Sequence, residues 1–275
     1  MPSVPSLAEL VKSSGLKYVE LGSGTLAVPF KAERAEQLVI QVKKVGDDLA
    51  FFVVDIPGPG WMGHEQTLYN LLRVTFEANY AKAAVLERGD LCFTAELPAA
   101  LLTPQIVEGL IRGLAALGDA AKKDLPSWEG WQQRKTLCTI AQASAFKVDV
   151  ARAKAELLDL VRAAGIPCEE RDHETFKLEW GIGGVDFKVM ALLREPCISF
   201  VLALGDTRPK GDKKKYMRGL LELNRSANVA KVGLDSDGDV TLLYEVPQLF
   251  PDLLEKAKAQ LGLLLVGLVA LEAGR

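Results

Sequence analysis

Apolar positions along this chain switch between helical and strand spacing, and the same succession occurs twice. Leu7, Leu10 and Val11 stand at helical spacing, as do Leu157, Leu160 and Val161. Gly15 and Gly165 follow where a helix C-cap glycine belongs. Strand-like runs come next: KYVEL, TLAVPF, LVIQVKKV and AFFVVDI, then PCEER, FKLEW, DFKVMAL and CISFVLAL. GSG (Gly22 to Gly24) and GIGG (Gly181 to Gly184) are turn material between them. A second helix is predicted over about residues 64–78 and 213–227, then a two-strand hairpin, then a third helix over about 103–117 and 251–271. The order of helix, antiparallel meander, helix, hairpin and helix predicts an α+β fold with helices packed on the sheets.

The two runs also align residue by residue. Leu71 to Pro98 laid over Leu220 to Pro247, at an offset of 149 without gaps, gives ten identities in 28 positions. Average residue usage gives roughly two by chance. The identities include Asn79/Asn228, Lys82/Lys231, Gly89/Gly238, Asp90/Asp239, Glu96/Glu245 and Pro98/Pro247. The chain is therefore expected to hold two tandem repeats, residues 1–119 and 149–275, joined by a connecting helix or linker over 120–148. In that linker Trp128 and Trp131 are expected as packing anchors between the repeats.

Composition narrows the classes. A net charge of -3 argues against nucleic acid as the main ligand, because phosphate binding draws on clustered Lys and Arg. Cys92, Cys138, Cys168 and Cys197 show no CxxC spacing and read as reduced thiols, which suits a cytoplasmic protein. The opening MPSVPSLAELVKSSG has neither the basic nor the apolar region of a signal peptide. The most apolar run, Leu261 to Leu271, covers 11 residues. A membrane span needs about 20, so no membrane insertion is expected.

Candidate chemistry is sparse. Asp235, Asp237 and Asp239 suggest a calcium loop, but its glycine and glutamate positions hold Val240 and Val246. The first copy replaces Asp235 and Asp237 by Leu86 and Arg88 and keeps Gly89, so the segment reads as a hairpin turn and no metal is expected. His64 and His173 have no counterparts in the other copy, and a strand placement would set Cys168 and His173 on opposite faces. No catalytic residue and no cofactor is expected. Glu96 and Glu245 point away from the apolar strand face, toward solvent or a partner, with Lys82 or Lys231 as a cross-strand pair.

The residues left for partner binding are Trp61 in the GPGWMGHEQ loop, Lys213, Lys214, Lys215 and Arg218 in a basic helix start, and Leu264 and Leu268 in the last helix. That helix is apolar nearly all round, so its own domain covers one face and the repeat, a second chain or a client covers the rest.

The element order, with its ending LLELN…GLDSDGDVTLLYEVP and a long apolar helix, resembles the YbjN-like family over essentially the whole chain. That family shares a fold with the type III secretion chaperones. The resemblance implies a bacterial, non-enzymatic, chaperone- or adaptor-like protein that binds a partner protein, as a homodimer or as an internal pseudo-dimer. Two alternatives stand beside it. One is a nucleic-acid-associated or DNA-repair accessory factor using Lys210 to Arg218. The other is an enzyme with a site between the repeats, near Trp61 and His64.

Overall fold

The structure is a computed structural model that describes residues 5–31, 37–45, 49–56, 63–86, 89–121, 146–205 and 211–273. Residues 122–145 of the expected linker, with Trp128 and Trp131, lie outside the described residues, as do Trp61 and Lys210.

The first half runs α1 (Leu7–Ser13), β1 (Val19–Gly22), β2 (Thr25–Phe30), β3 (Leu38–Val45), β4 (Leu49–Ile56), α2 (Glu65–Glu77), β5 (Ala81–Val85), β6 (Leu91–Pro98) and α3 (Pro104–Ala121). The second half runs α4 (Val150–Ala163), β7 (Cys168–Glu170), β8 (Thr175–Ile182), β9 (Val185–Arg194), β10 (Cys197–Ala203), α5 (Lys213–Ser226), β11 (Ala230–Leu234), β12 (Val240–Val246) and α6 (Leu253–Ala273). The fold is α+β, with two antiparallel six-stranded sheets ordered β1-β2-β3-β4-β6-β5 and β7-β8-β9-β10-β12-β11. In each sheet the last hairpin inserts beside the fourth strand, so the fifth strand becomes an edge.

Local chemistry sets the ends of several elements. Ser6 and Glu9 form a reciprocal capping box on α1, and Asp149 and Asp212 accept the Arg152 and Lys215 amides at the starts of α4 and α5. At the hairpin tips Gly89 and Gly238 hold φ of 85° and 84°, a region that L side chains avoid. Alternation puts Phe93, Ala95 and Leu97, and Leu242, Tyr244 and Val246, on the core side of their sheets. Every residue of β12 is buried, however, so its opposite face is covered as well.

The cover comes from the other half. Helix α2 lies across β11, α5 lies across β5, and α2 and α5 pack on each other. A Cβ at Gly233 on β11 would stand 2.8 Å from the Phe76 amide nitrogen and 2.9 Å from the Leu72 carbonyl oxygen. Glycine is therefore what permits helix α2 to approach so closely. One continuous hydrophobic core results, running from Leu10 in the first half to Leu268 in the last helix.

Candidate functional site

The junction between the halves holds two buried ion pairs, Lys82–Glu96 at 2.7 Å and Lys231–Glu245 at 2.8 Å. Each pair is diagonal across its own hairpin, and each is completed by the other half. Lys82 Nζ donates to the carbonyls of Ala227 and Ala230, and Lys231 Nζ donates to that of Ala78. The Tyr80 amide donates to Glu245 at 2.6 Å and the Val229 amide to Glu96 at 3.1 Å. All of these partners except Ala230 are related by the offset of 149. Tyr80 and Val229 hold φ of 61° and 64°, and the left-handed turn brings each amide to the opposite carboxylate. For Val229, β-branched, that conformation costs on the order of 1–3 kcal/mol. The expected lysine–glutamate pairing is present, but neither glutamate faces solvent. Desolvation is offset by multiple hydrogen bonds, which a buried charge requires.

Asn224 adds another tie between the halves. Its amide donates to the carbonyls of Val232 and Ala83 at 3.0 Å each, and its oxygen accepts from the Val232 amide. In the first half Thr75 takes the corresponding place and accepts only the Ala83 amide.

A cavity of about 300 Å3 opens beside this junction, between α2, α5 and the β11–β12 tip, with Tyr69, Tyr216, Met217, Lys213 and Asp237 among its walls. Its described lining includes no Cys, Ser or His, and His64 is not part of it. A larger cavity of about 520 Å3 lies under α1, with Glu20 and Lys44 in its lining. A smaller pocket of about 100 Å3 lies at the start of α4, against Pro247 and Gln248. Helix α4 runs 14 residues where α1 runs 7.

The Asp235 carboxylate accepts the amides of Asp237 and Asp239, and the Asp235 carbonyl accepts that of Gly238. The aspartates thus build the hairpin turn. Among the described residues no group of three or more His, Cys, Asp or Glu is placed to hold a metal. His173 sits in the bend after β7, exposed at the surface beside Glu174. Burial pushes the Cys92 thiol up to about 12 and raises that of Cys197, where the Glu245 carboxylate adds to the effect. Both thiols are protonated at neutral pH and are poor nucleophiles.

Among the expected partner-binding residues, Lys213, Lys214, Lys215 and Arg218 lie exposed at the start of α5. Arg218 pairs with Glu222 at 2.9 Å, which offsets one of the four charges, and Lys214 donates to the Gly63 carbonyl at 3.4 Å. Leu264 and Leu268 are buried in the chain's own core, because α6 turns that side onto α5, β11 and β12. Leu263, Val266 and Val269 are the exposed apolar residues of that helix.

The surface that spacing alone did not single out is the outer face of the first sheet. Val19, Val39, Val45, Phe51 and Val53 share that face, and the first three are exposed. Lys43 stands over the Phe51 ring. All four residues of β1, the free edge, are exposed, including Val19 and Leu21. The same face of the second sheet carries a chain of ion pairs, Arg171–Glu169–Lys177–Glu179. Its edge strand β7 is three residues long with two glutamates. Edge β1 is itself four residues long, with Glu20 and a register shift between Glu20 and Gly22, so the two sheets differ more in their outer faces than in their edges.

Comparison with family models, with curated proteins and with solved structures finds no match to this chain. No helix among the described residues is long and apolar enough to cross a membrane.

Proposed function

We propose that this chain is a non-enzymatic protein-interaction module of adaptor or chaperone type, built as an internal pseudo-dimer of one repeated unit and working in the cytoplasm. Its partner contributes an extended segment that adds to β1 and lies over the outer face of the first sheet. The observation that carries this reading is the group of exposed valines on the outer face of the first sheet, Val19, Val39 and Val45, set against the ion-paired face of the second sheet. Strand addition supplies main-chain hydrogen bonds beside Val19, and the part of the segment that crosses the sheet meets Val39 on β3 and Phe51 on β4. The reciprocal junction supports the pseudo-dimer, since each half completes the other's buried ion pair. The resemblance to the YbjN-like family points the same way.

The test is affinity purification of the tagged chain from its native host beside a Val39→Glu/Phe51→Lys variant, with circular dichroism confirming that the variant folds. The expected result is a specific partner held by the parent and lost by the variant. Recovery of no specific protein, or retention by the folded variant, rejects the reading.

A further inference from the structure

The cavity of about 300 Å3 beside the junction is lined by two kinds of residue. Tyr216, Met217, Leu220, Leu234 and Val240 form a buried floor. Glu65, Lys213 and Asp237 line it as well and are exposed. Between them stands Tyr69, half-buried, from α2 in the first half. Its hydroxyl would lie 3.4 Å from a Cβ at Gly238, on the hairpin tip of the second half.

Only the floor is repeated. At the offset of 149, Met217, Leu220, Leu234 and Val240 correspond to Leu68, Leu71, Val85 and Leu91, so these apolar residues are what the repeated unit needs for its core. Tyr69 corresponds instead to Arg218, Tyr216 to Thr67, Lys213 to His64 and Asp237 to Arg88. The fold therefore does not require two aromatic rings and three charges at this place. Local structure does not require them either, since the Asp235 carboxylate builds the turn and Asp212 caps α5. The side chains of Glu65, Tyr69, Lys213 and Asp237 make no hydrogen bond or ion pair among the described residues. Elsewhere on exposed helix faces charges find partners one turn away, as in Arg112–Glu108 and Arg152–Glu156. Unpartnered polar groups that converge on an apolar floor characterise small-molecule sites.

The volume lies at the low end of the roughly 300–1,000 Å3 of such sites, which suits a molecule of amino-acid size. The charges are of both signs. A ligand with a lone carboxylate would face two acids, and one with a lone ammonium would face the lysine. A zwitterion matches both. The tyrosine rings and the Met217 thioether suit a flat aromatic group. We infer that this cavity binds a free α-amino acid with an aromatic side chain. Its carboxylate meets Lys213, its ammonium meets Glu65 and Asp237, and its ring lies against Tyr69 and the apolar floor. The site shares no residue with the proposed partner surface on the first sheet, so either reading can fail without the other.

Isothermal titration calorimetry on the full chain with L-phenylalanine, phenethylamine and 3-phenylpropionate tests it. L-phenylalanine is expected to bind one per chain, roughly ten- to hundredfold more tightly than either analogue, because each analogue lacks one charge-assisted contact. Lys213→Ala should weaken L-phenylalanine by that factor and should not weaken phenethylamine. Glu65→Gln/Asp237→Asn should weaken L-phenylalanine by a similar factor and should not weaken 3-phenylpropionate. All three positions are exposed, so both variants should keep the circular dichroism of the parent. Absence of binding by both L-phenylalanine and L-tryptophan at millimolar concentration overturns the inference. An analogue that binds as tightly as L-phenylalanine overturns it too, and would make the site one for simple amines or simple acids. Binding of L-phenylalanine that survives both variants sets the ligand elsewhere on the molecule and equally overturns it.

Discussion

The hairpins β5–β6 and β11–β12 present a matching lysine and glutamate to one another, each with a left-handed residue before it, Tyr80 or Val229, while the outer faces of the sheets that carry them differ. At the junction each carboxylate receives an amide from the opposite half, so a change in one half must be answered in the other. On the outer faces no such reciprocity exists. There the second sheet carries Arg171, Glu169, Lys177 and Glu179 in ion pairs, and the first carries Val39, Val45 and Phe51. Repetition within the chain therefore marks the groups that hold the two halves together, and departure from repetition marks the surfaces available for something else.

The sharpest way to break this comparison is at the lysines. Lys231→Met leaves Glu245 buried without its cation and is expected to cost about 3–5 kcal/mol in urea unfolding. Lys82→Met should cost the same within the spread of such measurements. A value under about 1 kcal/mol for either one would mean that the two pairs are not equivalent. Adding Glu245→Met to Lys231→Met should recover part of the loss, since an apolar pair is better tolerated than a lone buried charge.

Gly233 comes next in size. Its counterpart Ala84 is buried with its methyl in place, whereas a methyl at Gly233 would meet the α2 backbone. Gly233→Ala should destabilise by about 1–3 kcal/mol, as overpacking does. A neutral effect in thermal melts would show that α2 and β11 are not in such close contact.

The smallest effect concerns Asp55, on the outer face of the first sheet. Burial, with the Asp90 charge second, raises its carboxyl above the ordinary value of 3.8. The folded state thus holds the proton more tightly than the unfolded one. Ionisation opposes folding progressively as pH rises through the unfolded and then the folded value, and constantly above both. Asp55→Asn should therefore stabilise at pH 7 by less than about 0.5 kcal/mol, the usual bound for a surface change. The advantage should vanish below pH 3.8, and melting curves at pH 7 and pH 3 read the difference.

Much of this architecture was legible because its signals are local. Helical spacing placed α1, α2, α4 and α5, alternation placed the strands, and Gly89 and Gly238 marked the hairpin tips. Burial of Glu96 and Glu245 was not legible, because alternation says only that they leave their own core face. A clue was available in Ala84, Cys92 and Thr94, which share that face and bring no further charge to it. The rotation of α6 was not legible either. A helix apolar on nearly every side has no preferred face, so Leu264 and Leu268 were indistinguishable from Leu263 and Val266.

By itself the sequence determined the kind and order of the elements and the match of Leu71–Pro98 with Leu220–Pro247, since both rest on short-range periodicity and on comparison within the chain. Only the tertiary structure decided which sheet face is covered. Whether a polar side chain on a strand meets water or another backbone depends on what packs above it, and α2 and α5 come from opposite halves of the chain. The same distinction holds for function. Val19, Val39 and Val45 on the first sheet, and Leu263, Val266 and Val269 on α6, stand out because they stay exposed once the fold has formed.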